Sequence, residues 1–119
     1  MTILVVDDSS VMRKIVIRSL RQAGYGDHDV VEAEDGAQAL ESIRSSPPDV
    51  GLSDWNMPNM SGLELVTALR AEGNNVPFGF VTSESTAEQF AAGIGAGAAF
   101  LLSNPFTAED LAANLGAIL

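Results

Sequence analysis

Apolar and polar residues succeed one another in blocks along this chain, and the blocks predict strands and helices in regular alternation. Five short runs rich in β-branched and aromatic residues are typical of buried strands: Ile3–Val6, Val30–Ala33, Val50–Leu52, Phe78–Val81 and Ala99–Leu102. The segments between them carry apolar residues at helical spacing, as at Leu111, Leu115 and Ile118. This alternation predicts an α/β fold, a five-stranded parallel sheet with helices on both of its faces.

Capping signatures indicate where the helices begin. Four segments match the S-x-x-E capping box or a close variant of it: Ser61–Glu64, Ser85–Glu88, Asp35–Gln38 and Thr107–Asp110. Either Asp8 or Ser9 is a suitable N-cap for the first helix. Three glycines, Gly93, Gly95 and Gly97, are expected to weaken the fourth helix by about 1 kcal/mol each where they fall inside it.

Length and composition set the bounds of the function. A chain of 119 residues that is 46% hydrophobic predicts one domain, residues 1–119, with an ordinary core. The absence of cysteine excludes a disulfide framework and a thiol nucleophile. The first strand begins at the N-terminus and no apolar run could span a bilayer, so we expect a cytoplasmic protein with no membrane partner. A net charge of −10 argues against nucleic acid as a partner.

Acidic residues stand at the ends of two predicted strands. Asp7 and Asp8 end the first apolar run, and Asp54 ends the third. Because parallel strands end at the same edge of a sheet, these carboxylates are expected to converge, and their mutual repulsion favours a bound cation. Oxygen ligands without His or Cys suit a hard ion, Mg²⁺ above all. The sequence therefore predicts a magnesium site at this edge.

Two further polar residues follow strands at the same edge, Thr82 after the fourth and Asn104 after the fifth. Any one polar residue in such a position is an ordinary loop residue or a helix cap. Five of them together, with an adjacent acidic pair, are much harder to explain by capping alone. In folds of this kind ligands bind outside the carboxyl ends of the strands.

The motifs resemble those of CheY-type response regulator receiver domains over the whole length of the chain. Four segments carry the resemblance: Ile3–Val16 with its Asp-Asp pair, Ser53–Leu65, Val81–Glu84, and Gly97-Ala98 followed by Pro105-Phe106. The second of them is close to the chemotaxis branch of the family. The resemblance implies a single flavodoxin-like domain with the strand order 2-1-3-4-5.

By this resemblance, Asp54 is the phosphoacceptor, and Asp7, Asp8 and Asp54 hold Mg²⁺. The backbone carbonyl of Asn56 is implied as a further metal ligand, and the Thr82 hydroxyl as a donor to the phosphoryl group. Asn56 and Glu84 occupy positions that in the family tune the lifetime of the acyl phosphate.

The resemblance also implies partners. The phosphoryl donor would be a CheA-like sensor histidine kinase, and the output would go to a downstream protein such as a flagellar motor component. The domain is expected to be a monomer. Its chemistry would be limited to phosphotransfer onto itself and loss of that group, so it is expected to be a signalling domain rather than an enzyme.

Two residues depart from the family pattern. Asn104 stands where the family has a lysine that contacts the phosphoryl group. A charge-assisted contact contributes roughly 1.5–3 kcal/mol and a neutral one about 1, so phosphorylation and its coupling should be weakened. Leu101 stands at the position of the switch aromatic, with Phe100 one place earlier. Adjacent strand residues point to opposite faces, so we expect Phe100 in the core and an altered or absent switch.

Three classes of function follow, in this order of preference. The first is a phosphorylatable receiver; the second is a pseudo-receiver that binds a protein without coupling to phosphorylation, which Asn104 and Leu101 favour. The third is an enzyme on a similar sheet. A flavodoxin is disfavoured because Asp7 and Asp8 would repel a flavin phosphate. A haloacid-dehalogenase-type phosphatase is disfavoured because the chain has D-D rather than D-x-D near its start.

Overall fold

The computed structural model describes residues 1–83 and 86–119. It contains five strands: β1 (Thr2–Val6), β2 (Asp29–Ala33), β3 (Val50–Ser53), β4 (Phe78–Thr82) and β5 (Phe100–Ser103). Its α-helices are α1 (Ser10–Leu20), α2 (Gly36–Ser45), α3 (Gly62–Ala71), α4 (Ala87–Ala96) and α5 (Ala108–Ile118). All strand pairs are parallel, in the order β2-β1-β3-β4-β5. The predicted α/β fold and strand order are therefore confirmed.

The sheet separates two apolar cores, because successive strand residues point to opposite faces. Leu4 and Val6 of β1 belong to the core under α2 and α3, whereas Ile3 and Val5 belong to the core under α1 and α5. Helix α4 packs beside α3 on the first of these faces. The predicted stripe of α5 is confirmed, since its two inner leucines are fully buried and Ile118 packs beside them.

Side-chain caps start the helices, but not always at the predicted residue. Ser9 caps α1, and the Ser61–Glu64 and Thr107–Asp110 capping boxes are both formed. Asp35 accepts a hydrogen bond from the Gln38 N–H, but the Gln38 side chain accepts from Glu34 rather than closing the box. The predicted return bond of this box was therefore wrong. Gln38 Oε1 accepts from the N–H of Glu34, one residue before the N–H of Asp35 that a closed box requires.

The Ser85–Glu88 capping box was predicted one residue too early. Helix α4 begins at Ala87, so Thr86 is its N-cap and Gln89 completes the box. Ser85 itself lies outside the described residues. Two neighbouring hydroxyl residues both stand three places before a Glu or Gln, and the spacing alone does not choose between them.

The glycines of the fourth helix fall into two classes. Gly93 and Gly95 lie inside α4, as expected, whereas Gly97 is its C-cap, with a φ of 108°. A left-handed residue at this position closes a helix, and glycine adopts it without strain. Gly97 therefore stabilises the end of α4 rather than weakening its interior.

The sequence pattern did not predict the end of α1. Residues Arg21–Tyr25 continue it as a π-helical segment, in which Gly24 has a φ of 98°.

Across the described residues, the structure contains no helix that is long and apolar enough to cross a membrane.

Candidate functional site at the carboxyl ends of the strands

The three acidic residues meet at the carboxyl ends of β1 and β3. These strands are neighbours, and the Asp54 N–H donates to the Val6 carbonyl at 2.9 Å, which fixes the two strand ends side by side. One carboxylate oxygen each of Asp7, Asp8 and Asp54 lies within 4.8 Å of the others. We call this set the acidic triad. Its convergence agrees with the expectation from the strand pattern.

Burial makes the acidic triad unfavourable as a set of free charges. Asp7 is only 6% exposed, and its pKa is raised to about 6. Burial is the largest cause of the rise, the Ser9 N–H opposes it, and the Asp54 and Asp8 charges add to it. Burial likewise raises the pKa of Asp54. Carboxylates that are held together at such cost are stabilised by a cation, and a set of oxygen donors fits Mg²⁺.

Short hydrogen bonds orient the Asp54 carboxylate. The Trp55 N–H donates to Asp54 Oδ1 at 2.7 Å, and the Asn56 N–H and the Thr82 side chain are further hydrogen-bond partners of the same group. Each of these bonds lowers the pKa of Asp54 and so opposes the effect of its burial. Thr82 is 2% exposed at the end of β4. The structure therefore brings Thr82 to the predicted acceptor.

A close approach of α3 fixes the peptide of the acceptor residue. The Gly62 N–H donates to the Trp55 carbonyl at 2.9 Å. A Cβ at Gly62 would lie 2.2 Å from the Asp54 carbonyl oxygen, so any side chain there would displace the loop. Glycine at the start of α3 thus allows the helix to pack directly on the acceptor segment.

Asn104 lies beside the site, and its side chain is directed towards α1. Its backbone N–H donates to the Thr82 carbonyl at 2.7 Å, which ties it to the end of β4. Its side-chain amide donates to the Met12 sulfur at 3.8 Å. The half-buried amide is therefore engaged by a thioether, a weak acceptor. A contact between Asn104 and a phosphoryl group stays a prediction.

Phe100 and Leu101 lie on opposite faces of β5, as predicted. Phe100 is 5% exposed in the core under α1 and α5, where its ring packs over Gly79. Leu101 is partly buried against the other core, on the face that α4 covers. An aliphatic side chain therefore lies on the α4 face of β5, and Phe100 lies on the other face.

Two predicted site residues have less defined roles. Asn56 is exposed, and its N–H contacts the Asp54 carboxylate, whereas its carbonyl as a metal ligand stays a prediction. Glu84 lies outside the described residues.

Sequence reasoning missed one side chain that braces the acidic triad and one bond between two loops at this edge. Arg13 Nη1 donates to the Asp7 carbonyl at 2.6 Å, and Arg13 Nε pairs with Glu32 at 2.9 Å. The Asn59 amide donates to Asp35 at 2.9 Å, and this bond helps to lower the pKa of Asp35. The cluster of basic residues in α1 was the one sequence feature that could have pointed to a contact between Arg13 and the acidic residues. No sequence signal connects Asp35 to Asn59, since they lie 24 residues apart.

A cavity of about 330 Å³ lies elsewhere, between the end of α1 and the start of β2, where Ile17, Tyr25 and Val30 are among its lining residues. The acidic triad does not line it, and the chemistry of the triad does not involve it.

Comparisons with known proteins agree with this geometry. The family model described as "Response regulator receiver domain" matches residues 3–116. The transcriptional regulatory protein PrrA of Mycobacterium tuberculosis is 40% identical over 117 residues, which are 98% of this chain and 49% of PrrA. The chain thus spans about half the length of that relative.

Two chemotaxis proteins are similar over almost their whole length. CheY1 of Helicobacter pylori is 38% identical over 122 residues, which cover 100% of this chain and 97% of CheY1. The structure of CheY4 of Vibrio cholerae superposes with a TM-score of 0.85 at 36% identity and covers 99% of this chain and 98% of its own.

Proposed function

This chain belongs to the response regulator receiver family, a class of signalling domains in two-component systems, and we propose that it accepts a phosphoryl group on Asp54 from a histidine kinase. The acidic triad carries the proposal, because three carboxylates within 4.8 Å at one sheet edge have a Mg²⁺-dependent phosphoryl site as their simplest use. The domain is not a classical enzyme, since the acceptor is its own side chain.

The proposed reaction is an in-line displacement at phosphorus. An Asp54 carboxylate oxygen forms the new O–P bond as the bond from phosphorus to the donor histidine nitrogen breaks, which leaves an acyl phosphate on Asp54. The Trp55 N–H holds Asp54 Oδ1 and so limits rotation of the carboxylate. Asp7, Asp8, Asp54 and the Asn56 carbonyl would hold Mg²⁺. When bound, the ion would neutralise charge on the phosphoryl oxygens.

Thr82 and two loop positions would serve the phosphorylated state. The Thr82 hydroxyl, which already contacts Asp54, would turn to donate to a phosphoryl oxygen. Asn56 and Glu84 would control how readily water reaches the acyl phosphate, and thus its lifetime. Hydrolysis of this bond is the only further chemistry that we propose for the domain.

A pseudo-receiver remains the second candidate, and the β5 side of the molecule favours it. The Asn104 amide contacts the Met12 sulfur and brings no charge to the site. Leu101 supplies neither a ring nor a hydroxyl on the α4 face. In this candidate, phosphorylation is weak or does not alter the binding of the target.

The similarity to CheY1 and CheY4 supports a chemotaxis pathway. We propose a CheA-like kinase as the donor, a flagellar motor component as one possible class of target, and a cytoplasmic monomer as the working form. The chain has no Lys or Arg after Arg70, so an acidic target segment would be repelled from α4, β5 and α5. The target should therefore dock there through apolar or Arg-rich contacts, or on the basic residues of α1.

Charge reversal separates these docking surfaces. In a pull-down with the kinase or target, Arg18→Glu with Arg21→Glu should weaken docking on α1, and Glu88→Lys with Glu109→Lys should alter docking on the surface formed by α4, β5 and α5. Unchanged binding after both pairs of substitutions would refute electrostatic docking.

The phosphoacceptor proposal is tested by incubation with a small phosphodonor and Mg²⁺, followed by intact-protein mass measurement. Wild-type protein should gain one phosphoryl group, and Asp54→Asn should gain none. Asp27→Asn, which changes an exposed aspartate in the loop before β2, is the matched control and should behave as wild type. A gain that persists in Asp54→Asn would place the acceptor elsewhere and refute the assignment.

A further inference from the structure

Trp55 joins the acceptor residue directly to helix α4. Its backbone N–H donates to Asp54 Oδ1 at 2.7 Å, while its indole ring packs on Phe80 with ring centroids 4.9 Å apart. The same ring lies against Gly93, because a Cβ built on that glycine would be 3.2 Å from Trp55 Cζ3. One residue therefore contacts the reacting carboxylate through its main chain and α4 through its side chain.

The contact with α4 leaves no free space. A Cβ at Gly93 would also lie 3.1 Å from the Phe80 ring, which is tighter than ordinary van der Waals contact. Gly93 is buried, although α4 is otherwise largely exposed. Glycine at this position thus lets the helix backbone rest on the two aromatic rings, so that a displacement of the indole must displace the helix.

The alternative connection through β5 is poor in this chain. Leu101 has no ring with which to exchange places with a moving Thr82 side chain, and Asn104 has no charge with which to attract a phosphoryl group. Phosphorylation would turn one oxygen of Asp54 into the bridging oxygen of an acyl phosphate and remove the charge of the carboxylate. The charge-assisted bond from the Trp55 N–H would then weaken.

From these contacts we propose that Trp55 transmits the state of Asp54 to helix α4, through the Trp55–Gly93 contact, in place of the β5 residues. The inference rests on the proposed phosphorylation of Asp54 and adds the route by which the event reaches the surface. A phosphoryl group shifts α4 only by changing contacts that differ between the two states, and the Trp55 N–H bond is such a contact. Coupling of this kind is reciprocal, so a change in α4 must also alter the site.

The test compares variants in the response of α4 to Mg²⁺ with beryllofluoride, a phosphoryl mimic. The response is the change in backbone amide NMR shifts of α4 between free and bound protein, and calorimetry gives the affinity for the mimic separately. Trp55→Leu keeps the backbone N–H and an apolar side chain. We expect it still to bind the mimic at saturating concentration, because the N–H is kept, and there to lose at least half of the α4 response.

The glycines of α4 supply a matched pair. Gly93→Ala adds a methyl group against Trp55 and Phe80, whereas Gly95→Ala adds the same group where nothing lies within 4 Å. Both gain the same helix propensity. Gly93→Ala should change the Trp55 fluorescence of the free protein. It should also change the affinity for the mimic by at least twofold. Gly95→Ala should change neither.

Three outcomes would overturn the inference. They are an undiminished α4 response in Trp55→Leu, a loss of binding in that variant, and identical behaviour of Gly93→Ala and Gly95→Ala. In all three the wild-type protein still binds the mimic, so the proposed phosphorylation stands. Wild-type protein that does not bind the mimic would overturn the proposed function and this inference together.

Discussion

Two regions of the molecule, the acidic triad at β1 and β3 and the segment from Leu101 to Asn104, differ in how closely they follow the family pattern. We call them the acidic end and the β5 end. Around β1 and β3, the acidic triad is complete, oriented by backbone N–H groups and braced by Arg13. In β5 and directly after it, Leu101 and Asn104 stand where the family pattern has an aromatic residue and a lysine, the positions proposed to respond to the phosphoryl group. The proposed acceptance of phosphate and the proposed response to it are thus separable, because different strands supply the residues for each.

The largest expected effect is the loss of metal binding when the triad is broken. Asp8→Ala removes an exposed carboxylate from the triad, so its Mg²⁺ affinity should fall at least tenfold. A Mg²⁺ titration that follows Trp55 fluorescence measures this, with Asp27→Ala as the control that keeps the same net charge. Equal affinities in the two variants would show that the carboxylates of the triad do not form the metal site.

A positive charge at position 104 should strengthen the binding of a phosphoryl mimic. Asn104→Lys should bind beryllofluoride in Mg²⁺ about tenfold more tightly, because a charged contact adds about 1.5 kcal/mol over a neutral one. Asn75→Lys makes the same change of charge in the exposed loop before β4 and controls for net charge. Calorimetry on both variants decides the matter. No gain in Asn104→Lys would mean that position 104 cannot reach the phosphoryl group.

The pH dependence of metal binding should report Asp7. Its pKa of about 6 in the free protein means that a proton competes with Mg²⁺ below pH 6, so the apparent affinity should fall several-fold between pH 7 and pH 5. Fluorescence titrations at pH 5, 6 and 7 measure this fall. Asp7→Asn should bind more weakly at pH 7 and show a shallower pH dependence. A wild-type affinity that is constant from pH 5 to 7 would contradict the raised pKa.

The smallest expected effect is on stability, and its sign follows from the same raised pKa. Between pH 3.8, the ordinary pKa, and about pH 6, the folded state keeps a proton on Asp7 that the unfolded state has lost. The metal-free protein should therefore lose stability as pH rises through this window. At pH 7 without metal, Asp7→Asn should raise the free energy of unfolding by about 1 kcal/mol, a value discounted for solvent screening. Urea unfolding in chelator measures it, and a destabilised Asp7→Asn would contradict this sign.

The sequence predicted most of the acidic end because topology alone places it there. Asp7 and Asp54 meet since the ends of neighbouring parallel strands coincide, whatever the details of packing. The placement of Phe100 and Leu101 on opposite faces followed from strand alternation in the same way. Both inferences depend on a period that the sequence displays directly.

The contacts that were missed depend on tertiary distances instead. Asn59 reaches Asp35 across two loops, and Gly93 meets Trp55 only once α4 is packed. From sequence, Gly93 was a residue that weakens a helix; its use as a close contact appears only in three dimensions. The exact start of α4 was missed because Ser85 and Thr86 offer equivalent caps.

The most direct test of the contrast between the two ends is a backbone amide NMR titration with Mg²⁺ and beryllofluoride. The account predicts large shift changes at Asp7, Asp8 and Asp54–Asn56, smaller ones in α4, and the smallest from Leu101 to Asn104, at the end of β5 and directly after it. Large changes along β5 that persist in Asn104→Ala would contradict it, as would an absence of change at the acidic triad.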